Sequence, residues 1–309
     1  MRALFFGTSA FAVPSLERVV EAGHTILGCV TQPDRPQGRG LQPQPSPVKQ
    51  AAQRLGLPLF QPEKPSADEY GALRPEIGIV IAYGHIIQPS LLALPPQGML
   101  GVHPSLLPKY RGAAPVAWAI LNGETTTGVT IFRLVHALDA GDILRQRSVP
   151  IQPQETCEAL TNRLAILGAE ELVLAIRDLE QGQAKLQPQD DAHATYAAKF
   201  TKAQGHIDWS QSAEQIVRMI RATHPWPGAT TTWKGQGIKL LLAAESQDSL
   251  MKTSQTPGTI VAASAEGIHV SSGQGVVTIM QLQPAGRRSM SAKEFLAGHG
   301  LKPGDQFGD

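Results

Sequence analysis

The sequence predicts an α/β domain built on a largely parallel sheet with helices on both faces, followed by a smaller β-rich domain of barrel or sandwich type. Three observations predict it. The first half alternates continuous apolar runs with helical spacings, the pattern of parallel strands buried on both faces. The polar stretch LQPQDDAHATYAAKFTKAQGHIDWS then interrupts the chain and reads as a crossing between domains. Beyond it come short strands with glycine turns in place of long helices. A chain of 309 residues is long enough for two domains of ordinary size.

The elements run in order. Residues 3–6, Ala-Leu-Phe-Phe, form a buried strand ending at Gly7. Residues 11–21 have helical spacing and stop before Gly23. Residues 25–30 make a second strand, which opens into the sixteen-residue loop QPDRPQGRGLQPQPSP. Residues 48–55 are helical and are closed by Gly56. Residues 77–82 and 99–102 are the third and fourth apolar strands. Residues 130–134 and 143–149 are further strands flanking HALDAGD. Residues 156–182 carry the longest helical pattern, from Leu160 to Leu179, and end in Gly182. Residues 213–222 form a short helix ahead of HPWPG, and the strands of ATTTWKGQGIKLLLAA, GTIVAAS, IHVSSG and VVTIMQLQP come after it.

Composition excludes some classes. The formal charge is +1, so no global basic field points to nucleic acid. Cys29 and Cys157 are the only cysteines, too few for a disulfide framework or a Cys-based zinc site; they read as reduced thiols. No apolar run approaches the ~20 residues that span a bilayer, and the first residues lack a secretory pattern. The expectation is a soluble, cytoplasmic chain with no membrane partner. No Walker A sequence and no H-E-x-x-H occur. Gly7-Thr8-Ser9 comes directly after the first strand, but it is not G-x-G-x-x-G.

In doubly wound sheets ligands bind beyond the carboxyl ends of the strands. Gly7-Thr8, Thr31-Gln32, Tyr83-Gly84 and His103-Pro104 fall at such ends. His103 is the sharpest candidate: it can move a proton near neutral pH, and the stiff, proline-bounded segment beside it would fix its position. Asp139, in LDAGD, could orient it, although spacing alone does not bring the two together. Arg35, Arg39 and Lys49 lie in or beside the long loop, and such loops are often binding elements.

Taken together, FFGTSAFAVPSL, TQPDRPQGRG, SPVKQAA, VIAYGHII, HPSLLPKYRGAAPV, GVTIFRL, LDAGDIL, IDWSQSAEQIVRMIRA, HPWPGA and LQPAGRRSMSAKEFLAGHGLKPGDQFG resemble the formyl-tetrahydrofolate-dependent transferases. The similarity runs nearly end to end. The TQPDRPQGRG loop and the QPAGRRSMSAKEFL segment resemble the branch that formylates methionyl initiator tRNA.

The resemblance implies a doubly wound Rossmann-like domain over residues 1–187, a linker over 188–205 and an OB-like β-barrel over 206–309. It implies transfer of the formyl group of 10-formyltetrahydrofolate, the co-substrate, to the α-amino group of methionyl initiator tRNA, by a monomer that needs no metal. His103 matches the family's catalytic histidine and Asp139 its partner. Ser105, Leu106, Leu107 and Pro108 match the segment lining the folate site. Arg35 and Arg39 in the loop, and Arg287, Arg288 and Lys293 in the barrel, are the matching tRNA candidates. Two departures stand out. Gly101 replaces the family's asparagine, whose amide helps hold the formyl oxygen, and Leu41-Gln42 replaces the lysines some relatives carry. Two alternatives remain open at this point. One is a family member acting on a non-tRNA amine such as a sugar amine, or hydrolysing the folate. The other is a folate- or tRNA-binding homologue with weak activity.

Overall fold

The computed structural model describes residues 1–37, 42–246 and 255–308. The chain divides into two compact units, Met1–Pro115 with Thr126–Pro150 and Thr161–Ala197, and Val116–Thr125 with Ile151–Leu160 and Ala198–Asp309.

The first unit opens with β1 (Arg2–Gly7), α1 (Val13–Glu21) and β2 (Thr25–Val30). The long loop contains a small hairpin, β3 (Arg35–Gln37) and β4 (Gln42–Gln44), before α2 (Pro47–Arg54). Ser46 starts α2: its hydroxyl accepts from the Lys49 amide at 3.0 Å and lies 2.7 Å from the Thr31 hydroxyl. This cap anchors the far end of the loop to the end of β2. Next along the chain are β5 (Leu59–Phe60), α3 (Ala67–Tyr70), β6 (Ile77–Ile81), α4 (Pro89–Leu92) and β7 (Met99–His103). Then come β8 (Arg111–Gly112), α5 (Pro115–Leu121, which from Val116 on belongs to the second unit), β9 (Thr126–Arg133), β10 (Ile143–Pro150) and α6 (Cys157–Glu180, whose residues up to Leu160 belong to the second unit), and later β11 (Tyr196–Ala197).

Seven strands make one sheet in the order β10-β9-β7-β6-β1-β2-β5. The five strands from β7 to β5 run parallel, as their unbroken apolar sequences require. β9 and β10 join antiparallel, so the sheet is Rossmann-like and mostly parallel. Phe5, Leu16, Val19, Ile79, Leu100 and Leu172 bury one face; Leu4, Phe6, Tyr83, Leu91 and Met99 bury the other. The parallel strand ends interlock at one rim. Thr8 Oγ1 donates to the Tyr83 carbonyl at 2.9 Å, and Gln32 Nε2 donates to the same oxygen at 2.8 Å.

β8 and β11 pair in parallel as a separate two-stranded sheet. Residues 189–197, inside the 188–205 stretch expected to be a linker, are therefore hydrogen-bonded to the segment just after His103.

The second unit holds α7 (Ala213–Ala222), β12 (Ala229–Trp233), β13 (Gln236–Glu245), β14 (Ile260–Ala263), β15 (Ile268–Ser271), β16 (Val276–Pro284), β17 (Met290–Ser291) and α8 (Ala292–Gly298). The sheet is antiparallel in the order β12-β13-β16-β15-β14, with β17 on β16. Strand residues alternate inward and outward, and Trp209, Ile216, Ile220, Leu240, Val277 and Phe295 fill the interior. Capping boxes start α7 at Ser212 and α8 at Ser291.

Candidate active site

β7 ends on His103, and Pro104 prevents its continuation. The ring is only 6% exposed. Its Nε2 lies 2.8 Å from the Tyr110 carbonyl oxygen. A carbonyl only accepts, so Nε2 carries a proton and donates. Nδ1 is left facing Asp139, with Oδ2 at 3.6 Å.

The chain between His103 and Tyr110 is tied down by its own polar groups. The Thr130 hydroxyl donates to the Ser105 carbonyl at 2.7 Å and accepts from the Leu107 amide at 3.1 Å. Gln146 Nε2 donates to the Leu107 carbonyl at 2.7 Å. Tyr110, at φ +63°, donates its amide to Thr195 Oγ1 at 2.8 Å. The carbonyl that receives the histidine proton is thus aimed by a residue 85 positions away in sequence.

Asp139 reaches His103 by an unexpected route. β9 is antiparallel to β7, with Arg133 opposite Leu100 and Thr130 opposite His103. The loop after β9 therefore leaves from the end of β7 opposite His103 and must return. Asp139 sits in it at φ +49°, a left-handed conformation that costs a non-glycine residue roughly 1–2 kcal/mol. Three hydrogen bonds hold it there. Asp139 Oδ2 accepts from the Gly112 amide at 2.8 Å. Gln189 Nε2 donates to the carbonyls of Asp139 at 2.8 Å and Gly141 at 2.7 Å.

Burial lowers the His103 pKa below its usual value; the Asp139 carboxylate and the Tyr110 carbonyl pull in the other direction without reversing the shift. The resting imidazole is neutral, with its lone pair on Nδ1. A proton that arrives there meets Asp139, and both N–H groups of the resulting imidazolium have acceptors. The arrangement suits a base.

Gly101 lies two residues upstream on the same strand face. A Cβ there would stand 2.5 Å from Phe132 Cε1 and 2.6 Å from Leu134 Cδ1. The space beside this glycine is filled from the neighbouring strand. Phe132 also meets the His103 ring edge-on, with centroids 6.4 Å apart.

The other expected residues separate clearly. Ser105 and Leu107 turn inward; the Ser105 hydroxyl donates to the Lys109 carbonyl at 2.6 Å. Leu106 and Pro108 are half-buried. Ile86, in the loop after β6, and Val135 and Leu138, in the loop that carries Asp139, are exposed apolar side chains. Lys49 Nζ is bound to Asp34 at 2.7 Å, which holds the Asp34 carboxyl below its usual range. Arg35 lies 3.5 Å from Glu63 on the surface. Arg39 lies outside the described residues. Arg287, Arg288 and Lys293 are exposed in the second unit. Arg288 pairs with Glu294 at 2.7 Å, while Arg287 and Lys293 have no ion pair among the described residues. Among those residues no group of three or more His, Cys, Asp or Glu is placed to hold a metal, and no helix is long and apolar enough to cross a membrane. Sequence reading missed Tyr110, Thr130, Phe132, Gln189 and Thr195 around the histidine.

Comparison with known proteins identifies the family. The formyl transferase profile matches residues 1–176, and that of the formyl transferase C-terminal domain matches residues 199–300. The chain belongs to the formyl transferase family. Methionyl-tRNA formyltransferase of Roseiflexus sp. (strain RS-1) is 45% identical, covering 100% of this chain and 96% of the relative. That of Geobacter metallireducens is 43% identical, covering 99% and 98%. Two solved structures share the fold. The N-formyltransferase from Helicobacter canadensis superposes with TM-score 0.68 at 17% identity, over 90% of this chain and 98% of its own. HypX from Aquifex aeolicus, crystallised with tetrahydrofolic acid, gives 0.66 at 18%, over 96% and 47%.

Proposed function

We propose that the chain transfers the formyl group of 10-formyltetrahydrofolate to the α-amino group of methionyl initiator tRNA. The observation that carries this reading is the match at above 40% identity, over the whole chain, to relatives named methionyl-tRNA formyltransferase. The buried His103 at the end of β7, with the half-buried Asp139 beside it, supplies chemistry that fits it.

The bound folate supplies the electrophilic formyl carbon. Attack needs a neutral amine, and an α-amino group has a pKa near 7.7–8.0. As the new C–N bond forms, the nitrogen must lose a proton. His103 Nδ1 takes it, while Nε2–H stays on the Tyr110 carbonyl and Asp139 balances the charge. Charge on the ring would draw it toward the carboxylate, which stands 3.6 Å away. His103 then returns the proton to the folate nitrogen as its bond to carbon breaks. Negative charge builds on the formyl oxygen during attack, and Gly101 offers no side chain to receive it.

Leu106 and Pro108 are the residues of the SLLP segment that would touch the folate; Ser105 and Leu107 shape the segment from within. The exposed Ile86, Val135 and Leu138 offer the apolar surface that a flat ring covers. Arg287 and Lys293 are the second-unit cations without an ion pair among the described residues and so free to meet phosphates; Arg35 and Arg39 are the loop candidates for the acceptor end. The reading places the reaction in the cytoplasm, with a monomer acting on tRNA and folate. It is tested by single-turnover formylation of initiator Met-tRNA with 10-formyltetrahydrofolate, with sugar amines as competitors. Turnover of a sugar amine but not of Met-tRNA would reject it.

A further inference from the structure

We propose that Arg111 and Gln189 form a positioning pair that holds the Asp139 loop against His103, and so set the rate of the proton transfer without touching substrate. This rests on the catalytic reading of His103 and Asp139.

The loop between β9 and β10 starts from the end of β7 opposite His103. Asp139 itself is in the left-handed region, at φ +49°. A residue in that conformation persists only where its surroundings over-determine it. Gln189 supplies much of that determination. Its amide NH2 has two hydrogens, and two loop carbonyls take them, Asp139 at 2.8 Å and Gly141 at 2.7 Å. Its oxygen accepts from Arg111 Nε at 3.1 Å and Nη2 at 2.8 Å.

The arginine fixes which way the amide points. A guanidinium only donates, so the Gln189 oxygen must face it and the NH2 must face the carbonyls. Arg111 is itself 4% exposed, and its Nη2 donates to Asp191 Oδ1 at 2.7 Å as well as to Gln189. β8, which carries Arg111, also carries Gly112, whose amide donates to the Asp139 carboxylate at 2.8 Å. The same two-residue strand thus grips Asp139 at the carboxylate directly and at the backbone through Gln189. Neither Arg111 nor Gln189 has a polar atom within hydrogen-bond distance of His103. The effect of Gln189 on it must pass through Asp139; Arg111 also shares the peptide whose Tyr110 carbonyl accepts from His103 Nε2, so the test is made at Gln189.

Gln189→Glu is the sharp perturbation. It keeps size and shape and strengthens the bond to Arg111. It replaces the NH2 with an oxygen that repels the two carbonyls. The unit stays folded while the loop loses its clamp. The test is a double-mutant cycle with Asp139→Asn, read by single-turnover formylation of Met-tRNA, and the 15N shifts of the His103 ring in each variant. Gln189→Glu is expected to lower the rate about tenfold or more in the native background, as supporting residues of catalytic groups do. KM for tRNA and folate should change less than about threefold, and the loss should fall below about twofold in the Asp139→Asn background. The His103 shifts should move in the direction that Asp139→Asn moves them. An equal loss in both backgrounds, or no loss and unmoved shifts, would overturn the proposal. His103→Ala is run in parallel. If it keeps the native rate, the catalytic reading fails, and the ring shifts still decide whether Gln189 positions Asp139.

Discussion

Gly101 yields the most decisive prediction. The resemblance implies that an asparagine at this place would donate to the formyl oxygen, and removing one such donor elsewhere costs about 10²–10³ in kcat. Restoring it by Gly101→Asn alone should fail, for a steric reason. Gly101 has ordinary extended backbone, so conformation is no obstacle, but its Cβ position lies 2.5 Å from Phe132 Cε1 and 2.8 Å from Cζ. Real Cβ atoms do not approach so closely. Phe132 is 4% exposed and cannot swing out. Overpacking of this kind costs about 1–3 kcal/mol. At about 2–4 °C per kcal/mol for a unit of this size, Tm should fall by about 2–12 °C. A displaced Phe132 ring would also push the His103 ring it abuts, so the rate should not rise.

Phe132→Leu removes both ring atoms that crowd the Cβ position and leaves Leu134 Cδ1, the end of a half-buried, flexible side chain, as the remaining close neighbour at 2.6 Å. The double variant Gly101→Asn/Phe132→Leu then places an amide where the ring edge had been. The informative comparison is with Phe132→Leu alone, since both lack the contact with His103. Single-turnover formylation of Met-tRNA at saturating enzyme should be about tenfold or more faster in the double variant, a partial recovery of the roughly 10²–10³ available. Tm should recover toward the native value relative to Gly101→Asn. A double variant no faster than Phe132→Leu would show that the missing amide does not limit this enzyme.

Four further outcomes are expected. His103→Ala should lower the single-turnover rate about 10²-fold or more, and an unchanged rate would remove the assigned role. Because burial lowers the His103 pKa, against the pull of Asp139 and the Tyr110 carbonyl, the acid limb of kcat should have its midpoint below about 6.5; a midpoint above it would contradict a buried neutral base. The unfolded chain binds that proton at a higher pH than the folded one, so stability contributed here is present above about pH 6.5 and is lost as pH falls toward the folded pKa. Melts between about pH 7.5 and 5.0 should therefore show a steeper loss for the native chain than for His103→Asn, and equal slopes would refute it. Finally, Arg287→Ala and Lys293→Ala should each reduce the salt dependence of tRNA binding by about one ion, and Arg288→Ala should do less because Glu294 already neutralises it. Equal effects at all three would place the contact elsewhere.

Local pattern makes much of the first unit legible. Unbroken apolar runs mark β1, β2, β6 and β7, and the rule that ligands sit beyond parallel strand ends puts Thr8, Gln32, Tyr83 and His103 on one rim, where hydrogen bonds link the first three. Asp139 can be named from the sequence but not placed. Its approach depends on β9 running antiparallel, and strand direction is set by pairing partners far away in sequence. The same limit hides Gln189 and Thr195. Both lie in a polar stretch without periodicity, which local rules read as a linker. Their roles emerge only when β11 pairs with β8, a two-residue contact too short to leave a hydrophobic pattern. Arg111 is visible within HPSLLPKYRGAAP, but nothing local says that its charge is buried.

That distribution of visible and hidden residues has a physical cause. A residue that meets substrate must stand at a strand end or loop tip, and strand ends are legible from apolar runs. The groups that keep such a residue ready are polar atoms whose partners lie elsewhere in the chain. His103 shows why both classes are needed. Burial alone would keep the ring neutral and give no reason to accept a proton. A closely bonded carboxylate alone would keep it charged and unable to accept one. At 3.6 Å, behind a desolvated ring whose Nε2–H is already committed to Tyr110, Asp139 leaves the base neutral at rest and favours it once charged. That balance is set by distance, and the distance is set by the loop geometry that Gly112 and Gln189 impose. Turnover in this enzyme is therefore expected to be more sensitive to small changes in the 189–195 stretch than to changes in the exposed surface of the SLLP segment, although only the latter is proposed to adjoin the folate.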